Sequence, residues 1–177
     1  MKFVIINGSP RKKGRTGIAS RSISRMYGIE LIDLSGQNAV PLYNGEDEQD
    51  LLESVIQLRK KVKEADGILL ASPEYHGGMS GLLKNALDFL GSEHLQHKPV
   101  ALLAVAGGGK GGINALNNMR TVMRGLYANC IPRQIVLDPK AFDYENDSIH
   151  EDAASTVKTL VEELQLYTKS YLVLKEQ

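Results

Sequence analysis

The sequence predicts a doubly wound α/β sandwich, a parallel sheet with helices on both faces, and three observations carry that expectation. Five short aliphatic or β-branched runs recur along the 177 residues, at 3–6, 30–34, 68–71, 100–105 and 134–137. Four of them are nearly continuous in apolar residues instead of alternating, the pattern of strands covered on both faces. Longer segments with helical spacing lie between them, and strands that alternate with helices through right-handed crossovers build this architecture.

The run at 3–6 leads to a helix over 17–27 carrying Ile18, Ala19, Ile23 and Met26. After 30–34, the segment 51–65 places Leu52, Val55, Ile56, Leu58, Val62 and Ala65 at helical spacing, with charges filling the remaining face, which suits one-sided burial. The third strand is followed by a helix over 82–90 with Leu83, Ala86, Leu87 and Leu90. The fourth is followed by one over 113–127 with Leu116, Met119, Val122, Met123 and Leu126, and the fifth by one over 157–172 with Leu160, Val161, Leu164 and Tyr167. Segments 35–49 and 142–152 read as exposed connections, their acids Glu46, Asp47, Glu48, Asp143, Glu145, Asp147, Glu151 and Asp152 being solvated surface. No internal repeat, low-complexity tract or Pro/Ser-rich linker interrupts the chain, so one domain over 1–177 is expected.

Lys plus Arg and Asp plus Glu are both 21. A formally neutral chain is not held to nucleic acid or anionic lipid by overall charge. No apolar stretch approaches the roughly 20 residues that span a bilayer, so no membrane association is expected. The single cysteine, Cys130, cannot close a disulfide within the chain, and no basic-then-apolar leader precedes the first strand. The expected compartment is a reducing cytoplasm.

In an open parallel sheet, ligands bind beyond the carboxyl ends of the strands. Three loops there are unusual. The first, Asn7-Gly8-Ser9-Pro10-Arg11-Lys12-Lys13-Gly14-Arg15-Thr16, joins glycines and hydroxyls to the start of a helix, whose free N–H groups attract anions. From Arg11 to Arg25 there are six cations and no acid, a pattern that favours a phosphate. A solvated basic loop capped by Thr16 would have the same residues. The P-loop needs four residues between its glycine and Gly-Lys-Ser/Thr; here five separate Gly8 from Gly14, and Arg15-Thr16 follows. A terminal monophosphate therefore suits the loop better than a nucleoside triphosphate.

The third loop, 107–112, formally matches G-x-G-x-x-G, but no acid occurs between Glu93 and Asp138 to hold ribose hydroxyls, so an NAD-type Rossmann site is disfavoured. Its glycines suggest a backbone lying close to a flat ligand, or a mobile lip over one; a merely flexible turn is the plainer reading. In the second loop, Pro73 fixes the strand exit, Gly77, Gly78 and Gly81 permit close approach, and Tyr75 and His76 offer a planar ring and an imidazole. Glu74 could equally form a salt bridge near a subunit contact. His94, His97 and His150 lack metal-ligand spacing, so no metal is expected. Cys130 reads as a packed thiol, and Ser9 and Ser72 lack the G-x-S-x-G setting of a nucleophile. If the chain is an enzyme, a cofactor carries the chemistry.

At these residues the chain resembles the NADPH-dependent FMN reductase family, of flavodoxin-like fold, and within it the small bacterial FMN-dependent NADPH azoreductases. Gly8-Ser9-Pro10-Arg11 resembles the family's phosphate loop, Pro73-Glu74-Tyr75-His76-Gly77 with Leu83-Lys84-Asn85-Ala86-Leu87-Asp88 its second flavin loop and helix, and the glycine loop its third. The resemblance covers nearly the whole chain and implies a five-stranded sheet of order 2-1-3-4-5. It implies that Ser9, Arg11 and Thr16, with Arg15 nearby, hold the FMN phosphate. Pro73, Glu74, Tyr75, His76 and Gly77 would line the isoalloxazine and ribityl, and Gly107, Gly108 and Gly109 would approach the flavin from the other side. Many members have Ser where Gly14 stands, Asn where Thr16 stands and Asn where His76 stands.

The activity implied is hydride transfer from NADPH to bound FMN and then to azo compounds, quinones or free flavin, with no protein acid or base essential to the first step. The protein's share is to hold two planar rings at near-attack distance. Lys110, Arg120 and Arg124 could favour the extra phosphate of NADPH, or could simply form an outward helix surface. The resemblance also implies a homodimer or homotetramer. A flavodoxin-like electron carrier without NADPH turnover is the alternative, less suited to a neutral chain, and a phosphate-ester hydrolase would be colourless.

Overall fold

The computed structural model describes residues 1–36, 38–108 and 111–175. In chain order the elements are β1 (Phe3–Asn7), α1 (Arg15–Tyr27), β2 (Glu30–Asp33), α2 (Glu53–Glu64), β3 (Gly67–Tyr75), β4 (Gly78–Met79), α3 (Gly81–Asp88), α4 (Ser92–Leu95), β5 (Pro99–Val105), α5 (Ile113–Gly125), β6 (Asn129–Leu137), β7 (Phe142–Asp143), β8 (Ser148–Ile149) and α6 (Glu151–Lys175). Short 3-10 turns occupy Asp47–Leu51 and Pro139–Ala141. The sheet runs β2-β1-β3-β5-β6, and every pairing along that path is parallel. Counted over these five strands the order is 2-1-3-4-5, as expected.

Alternation within the apolar runs explains the three layers. Val4, Ile6, Ile68, Leu70, Val100, Leu102 and Ala104 point to one face, where they pack with Val55 and Leu58 of α2, Leu83 and Leu87 of α3, and Leu116 and Met119 of α5. Ile5, Leu69, Ala71, Ala101, Leu103 and Val105 point to the other, against Ile18 and Ile23 of α1 and Val157, Leu160 and Leu164 of α6. A run with both parities apolar therefore buries both faces. Each fully buried Ile, Leu or Val contributes about 1.5–3 kcal/mol, so the contact of these strands with the helices on both faces carries much of the stability.

Several boundaries differ from expectation. Pro73 does not end its strand: β3 continues to Tyr75, with Pro73 opposite Val105, and then turns back into the antiparallel β4. β6 begins at Asn129 instead of 134 because a bulge interrupts its pattern. Val100 faces Cys130 and Leu102 faces Gln134, so Ile131, Pro132 and Arg133 together oppose Ala101. Proline has no N–H for the ladder and is tolerated on an edge strand at such a bulge.

The segment 142–152 is not simply an exposed connection. Phe142 and Ile149 are buried and pair across the β7-β8 ribbon, and Glu151 and Asp152 begin α6, where acids favour the helix N-terminus. Asp147 is not solvated surface either. It accepts from Arg21 Nε at 2.8 Å and from Arg25 at 3.1 Å, and the Arg21 guanidinium holds its carboxyl below the ordinary carboxylate range. This latch ties the ribbon to α1. It also removes Arg21 and Arg25 from the cations free for a ligand, leaving Arg11, Lys12, Lys13 and Arg15.

Candidate functional site

A cavity of about 220 Å³ lies beyond the carboxyl ends of β1, β3 and β5, lined by Ser9, Arg11, Gly14, Arg15, Thr16, Pro73, Glu74, Tyr75, Val105, Ala106 and Gly107. The loop after β1 is held from both sides. Asn7 donates through Nδ2 to Asp33 at 3.0 Å and accepts the Ser9 N–H at 3.2 Å, while Gly8 N–H donates to the Ala71 carbonyl at 2.8 Å. Ser9 is buried, and its hydroxyl accepts the Arg11 N–H at 3.2 Å, which curls the loop toward α1.

Thr16 does not cap α1. The cap position is Gly14, which has no side chain to offer, and no acid lies in the first turn. The leading amides of the helix thus open on the cavity without a side-chain acceptor, beside the Arg11 and Arg15 guanidiniums and the Thr16 hydroxyl. An uncapped helix start flanked by cations is a ready anion site.

The second loop has a different construction from the one expected. His76 and Gly77 both have positive φ, 50° and 78°, and form the two-residue tip between Tyr75 and Gly78. Type I′ hairpins require this handedness at both positions, which Asn, Asp, His and Gly adopt most readily. His76 is therefore placed by its backbone, at an exposed tip, and neither it nor Gly77 lines the cavity. Pro73 and Tyr75 do line it. Glu74 turns its carboxylate to α5, where Oε2 accepts the N–H of Gly112 at 2.9 Å and of Ala115 at 3.0 Å.

In the third loop Gly107 reaches the cavity and Gly108 does not; open space lies over both. Gly109 and Lys110 lie outside the described residues. Gly112 has φ 101°, and a Cβ there would come within 2.6 Å of Val136. Arg120 is not free for a phosphate: its guanidinium donates to Gln134 at 2.8 Å and to the Ile131 carbonyl at 3.1 Å, satisfying the β6 bulge. Arg124 lines a separate cleft with Asn117 and Thr121. Burial pushes the Cys130 thiol up to about 11 against the opposing pull of Arg120, so it is not a thiolate at neutral pH. His94 is a buried local brace, accepting the Gly91 N–H at 3.0 Å. Among the described residues no group of three or more His, Cys, Asp or Glu is placed to hold a metal ion.

The cavity therefore gathers Ser9, Arg11, Arg15, Thr16, Pro73, Glu74, Tyr75 and Gly107, and leaves out His76, Gly77 and Gly108. Sequence reasoning missed Val105 as a wall, because it reads as an ordinary strand residue. It also missed Ser80, whose hydroxyl donates to the Gly8 carbonyl and accepts the Leu83 N–H at 3.0 Å, joining the first loop to the start of α3. A serine three positions before an apolar helical stripe was the available signal for that cap.

Residues 1–143 match a family model described as NADPH-dependent FMN reductase. The chain is 51% identical over 177 residues to an NADPH azoreductase of Bacillus sp. (strain OY1-2), covering all of this chain and 98% of that relative. It is 30% identical over 158 residues to an FMN-dependent NADPH-azoreductase of Staphylococcus aureus, covering 83% of this chain and 82% of the relative. Among solved structures, a flavoenzyme NAD(P)H:(acceptor) oxidoreductase from Paracoccus denitrificans superposes with a TM-score of 0.75 at 21% identity over 97% of both chains. A flavodoxin, WrbA-like protein from Agrobacterium tumefaciens gives 0.60 at 14% identity, over 99% of this chain and 98% of that one. At such identities these two bear on fold alone, which is flavodoxin-like.

Proposed function

This chain belongs to the NADPH-dependent FMN reductase family, and from that premise we propose that the cavity beyond β1, β3 and β5 is the seat of its FMN. The protein is an FMN-dependent NAD(P)H oxidoreductase with NADPH as donor. Bound FMN supplies the hydride chemistry between the nicotinamide and a small-molecule acceptor. Azo compounds, quinones and free flavin are the acceptors proposed, and residues 1–177 are read as one flavin-binding domain.

The residues present fit that group. A single observation carries the reading: the start of α1 lines the cavity with no side-chain cap and no acid in its first turn, beside Arg11 and Arg15. There the α1 amides and the Ser9 and Thr16 hydroxyls donate to the phosphate, and the two guanidiniums neutralise it. Pro73, Tyr75, Val105 and Ala106 make an apolar wall that excludes water from the ring side. The protein's catalytic contribution is orientation, so no side chain is assigned as acid or base.

The test is a visible absorption spectrum of the purified protein before and after anaerobic NADPH, followed by NADPH consumption with an added azo dye. A yellow protein that bleaches and turns over is expected; FMN-loaded protein without turnover would make it an electron carrier. The Arg11→Ala, Thr16→Ala double variant should bind FMN at least about tenfold more weakly, a loss of about 1.4 kcal/mol or more. Unchanged affinity by fluorescence titration would place the phosphate elsewhere.

The assembly proposed is a homodimer or homotetramer in the cytoplasm. Within residues 42–56, Leu42, Leu51, Leu52 and Ile56 are 82%, 79%, 42% and 41% exposed, large apolar side chains whose covering by a second copy would support that assembly. Solution scattering at micromolar concentration should give a multiple of the chain mass, and a monomer mass would reject this assembly. Among the described residues no helix is long and apolar enough to cross a membrane.

A further inference from the structure

We propose that Glu74 is a positioning residue: its carboxylate clamps the start of α5 to the end of β3 and thereby fixes the lip of the cavity, instead of binding the cofactor. Oε2 accepts two N–H groups, from Gly112 at 2.9 Å and Ala115 at 3.0 Å. These are amides at the start of α5, whose cap residue Gly112 supplies no side chain of its own and whose first turn has no acid. A carboxylate there satisfies orphan donors and meets the positive end of the helix dipole. Among the described residues Glu74 thus does for α5 what none does for α1, so α1 and not α5 is left open to a phosphate.

The clamp has a consequence for the glycine loop. A Cβ at Gly112 would come within 2.6 Å of Val136 on β6, and one at Gly111 would lie 3.5 Å from the Glu74 carboxylate, so the loop's end fits between that strand and the clamp only without side chains. A second tie, from Met79 N–H to Asn118 Oδ1 at 3.3 Å, joins β4 to α5. The β3-β4 hairpin, the loop's end and α5 are therefore one mechanical unit, and Tyr75 and Gly107 reach the cavity from its two sides. Loss of the carboxylate frees the lip over the ring side while leaving the phosphate contacts of the first loop in place. This functional part rests on the flavin site proposed above; the clamp itself does not.

The experiment compares the wild type with Glu74→Ala and Glu74→Gln. In flavin-free protein, amide exchange at Gly112 and Ala115 should accelerate at least about tenfold in E74A and less in E74Q, whose amide oxygen still accepts both N–H groups. In the FMN-loaded enzyme, E74A should raise KM for NADPH about fivefold or more with FMN affinity within about threefold, and E74Q should recover most of that loss. Unchanged exchange at the two amides in both variants overturns the clamp, and so does a fall in FMN affinity as large as that of the Arg11, Thr16 variant. If E74A does not fold, Glu74→Met decides, because it keeps a stem of similar length and removes the acceptor: exchange equal to wild type at both amides refutes the proposal, and selective acceleration there supports it. Should the wild type fail to bind FMN, the flavin site falls while the exchange result still judges the clamp.

Discussion

Gly8→Ala is expected to lower stability by about 1–3 kcal/mol and FMN affinity at least about tenfold, through one methyl group. A Cβ at position 8 would lie 2.5 Å from the Leu83 Cβ and 3.1 Å from the Ala71 carbonyl oxygen. Neither can yield cheaply. Leu83 belongs to α3 and is fully buried in the core, and the Ala71 carbonyl already accepts the Gly8 N–H at 2.8 Å. Relief requires α3 to back away from β1, yet Ser80 at the start of α3 bonds the Gly8 carbonyl, so the first loop moves with it. Ser9 and the approach to α1 are then displaced, which couples the packing defect to the proposed phosphate site. Urea unfolding and FMN fluorescence titration measure the two effects. A variant with wild-type values in both would mean that this close approach does not govern the site.

The second large effect is at Lys98, which is 7% exposed in the wild type. Its ammonium donates to the Val62 carbonyl at 2.7 Å and the Lys63 carbonyl at 2.6 Å, in the last turn of α2. These are the carbonyls a helix end leaves without partners, and a cation there also suits the dipole. Lys98→Met keeps the apolar stem but strands both, so a loss of about 1–3 kcal/mol is expected at neutral pH. Burial lowers the Lys98 pKa to about 8, with repulsion from Lys175, an opposing attraction from Asp66 and a smaller repulsion from Lys63. In the unfolded chain the same lysine keeps its ordinary value near 10.5. Between pH 8 and 10.5 the unfolded state therefore binds more protons than the folded state, and stability from this group rises with pH. The neutral amine still donates to both carbonyls. The gap between wild type and K98M should thus widen from pH 7 to pH 10, by on the order of 2 kcal/mol. A gap that stays constant or narrows in urea unfolding at the two pH values would refute the desolvation argument.

Much of this molecule is legible because its strands and helices announce themselves by apolar periodicity. Phe3-Val4-Ile5-Ile6 and 100–105 are apolar at both parities, and that alone forecasts layers on both faces. Periodicity failed where a local rule outweighed it. Pro132 broke the pattern of β6, although the ladder continues on both sides of the bulge. Asp147 looked like loop polarity, since its partners Arg21 and Arg25 are more than 120 residues away in sequence. The candidate site was legible where glycines and cations cluster after a strand. It was not legible where backbone handedness decides: His76 reads as an imidazole, but its position is set by φ 50° at a hairpin tip. Glu74 is the same lesson for a side chain, because its target amides belong to a helix about 40 residues on.

The β6 bulge also bears on the open borders of the sheet. Pro132 and the exposed Arg133 interrupt the outer rim of the sheet, where an unbroken ladder would template another polypeptide. At the opposite rim β2 is only four residues long and carries Glu30 and Asp33, the first paired with Lys61 at 3.0 Å. Short, charged and interrupted borders discourage cross-chain sheet extension, which protects the molecule from fibrillar stacking. Any association of copies would then fall to side-chain surfaces, where a partner can be gained or lost without any strand of the sheet changing its neighbour.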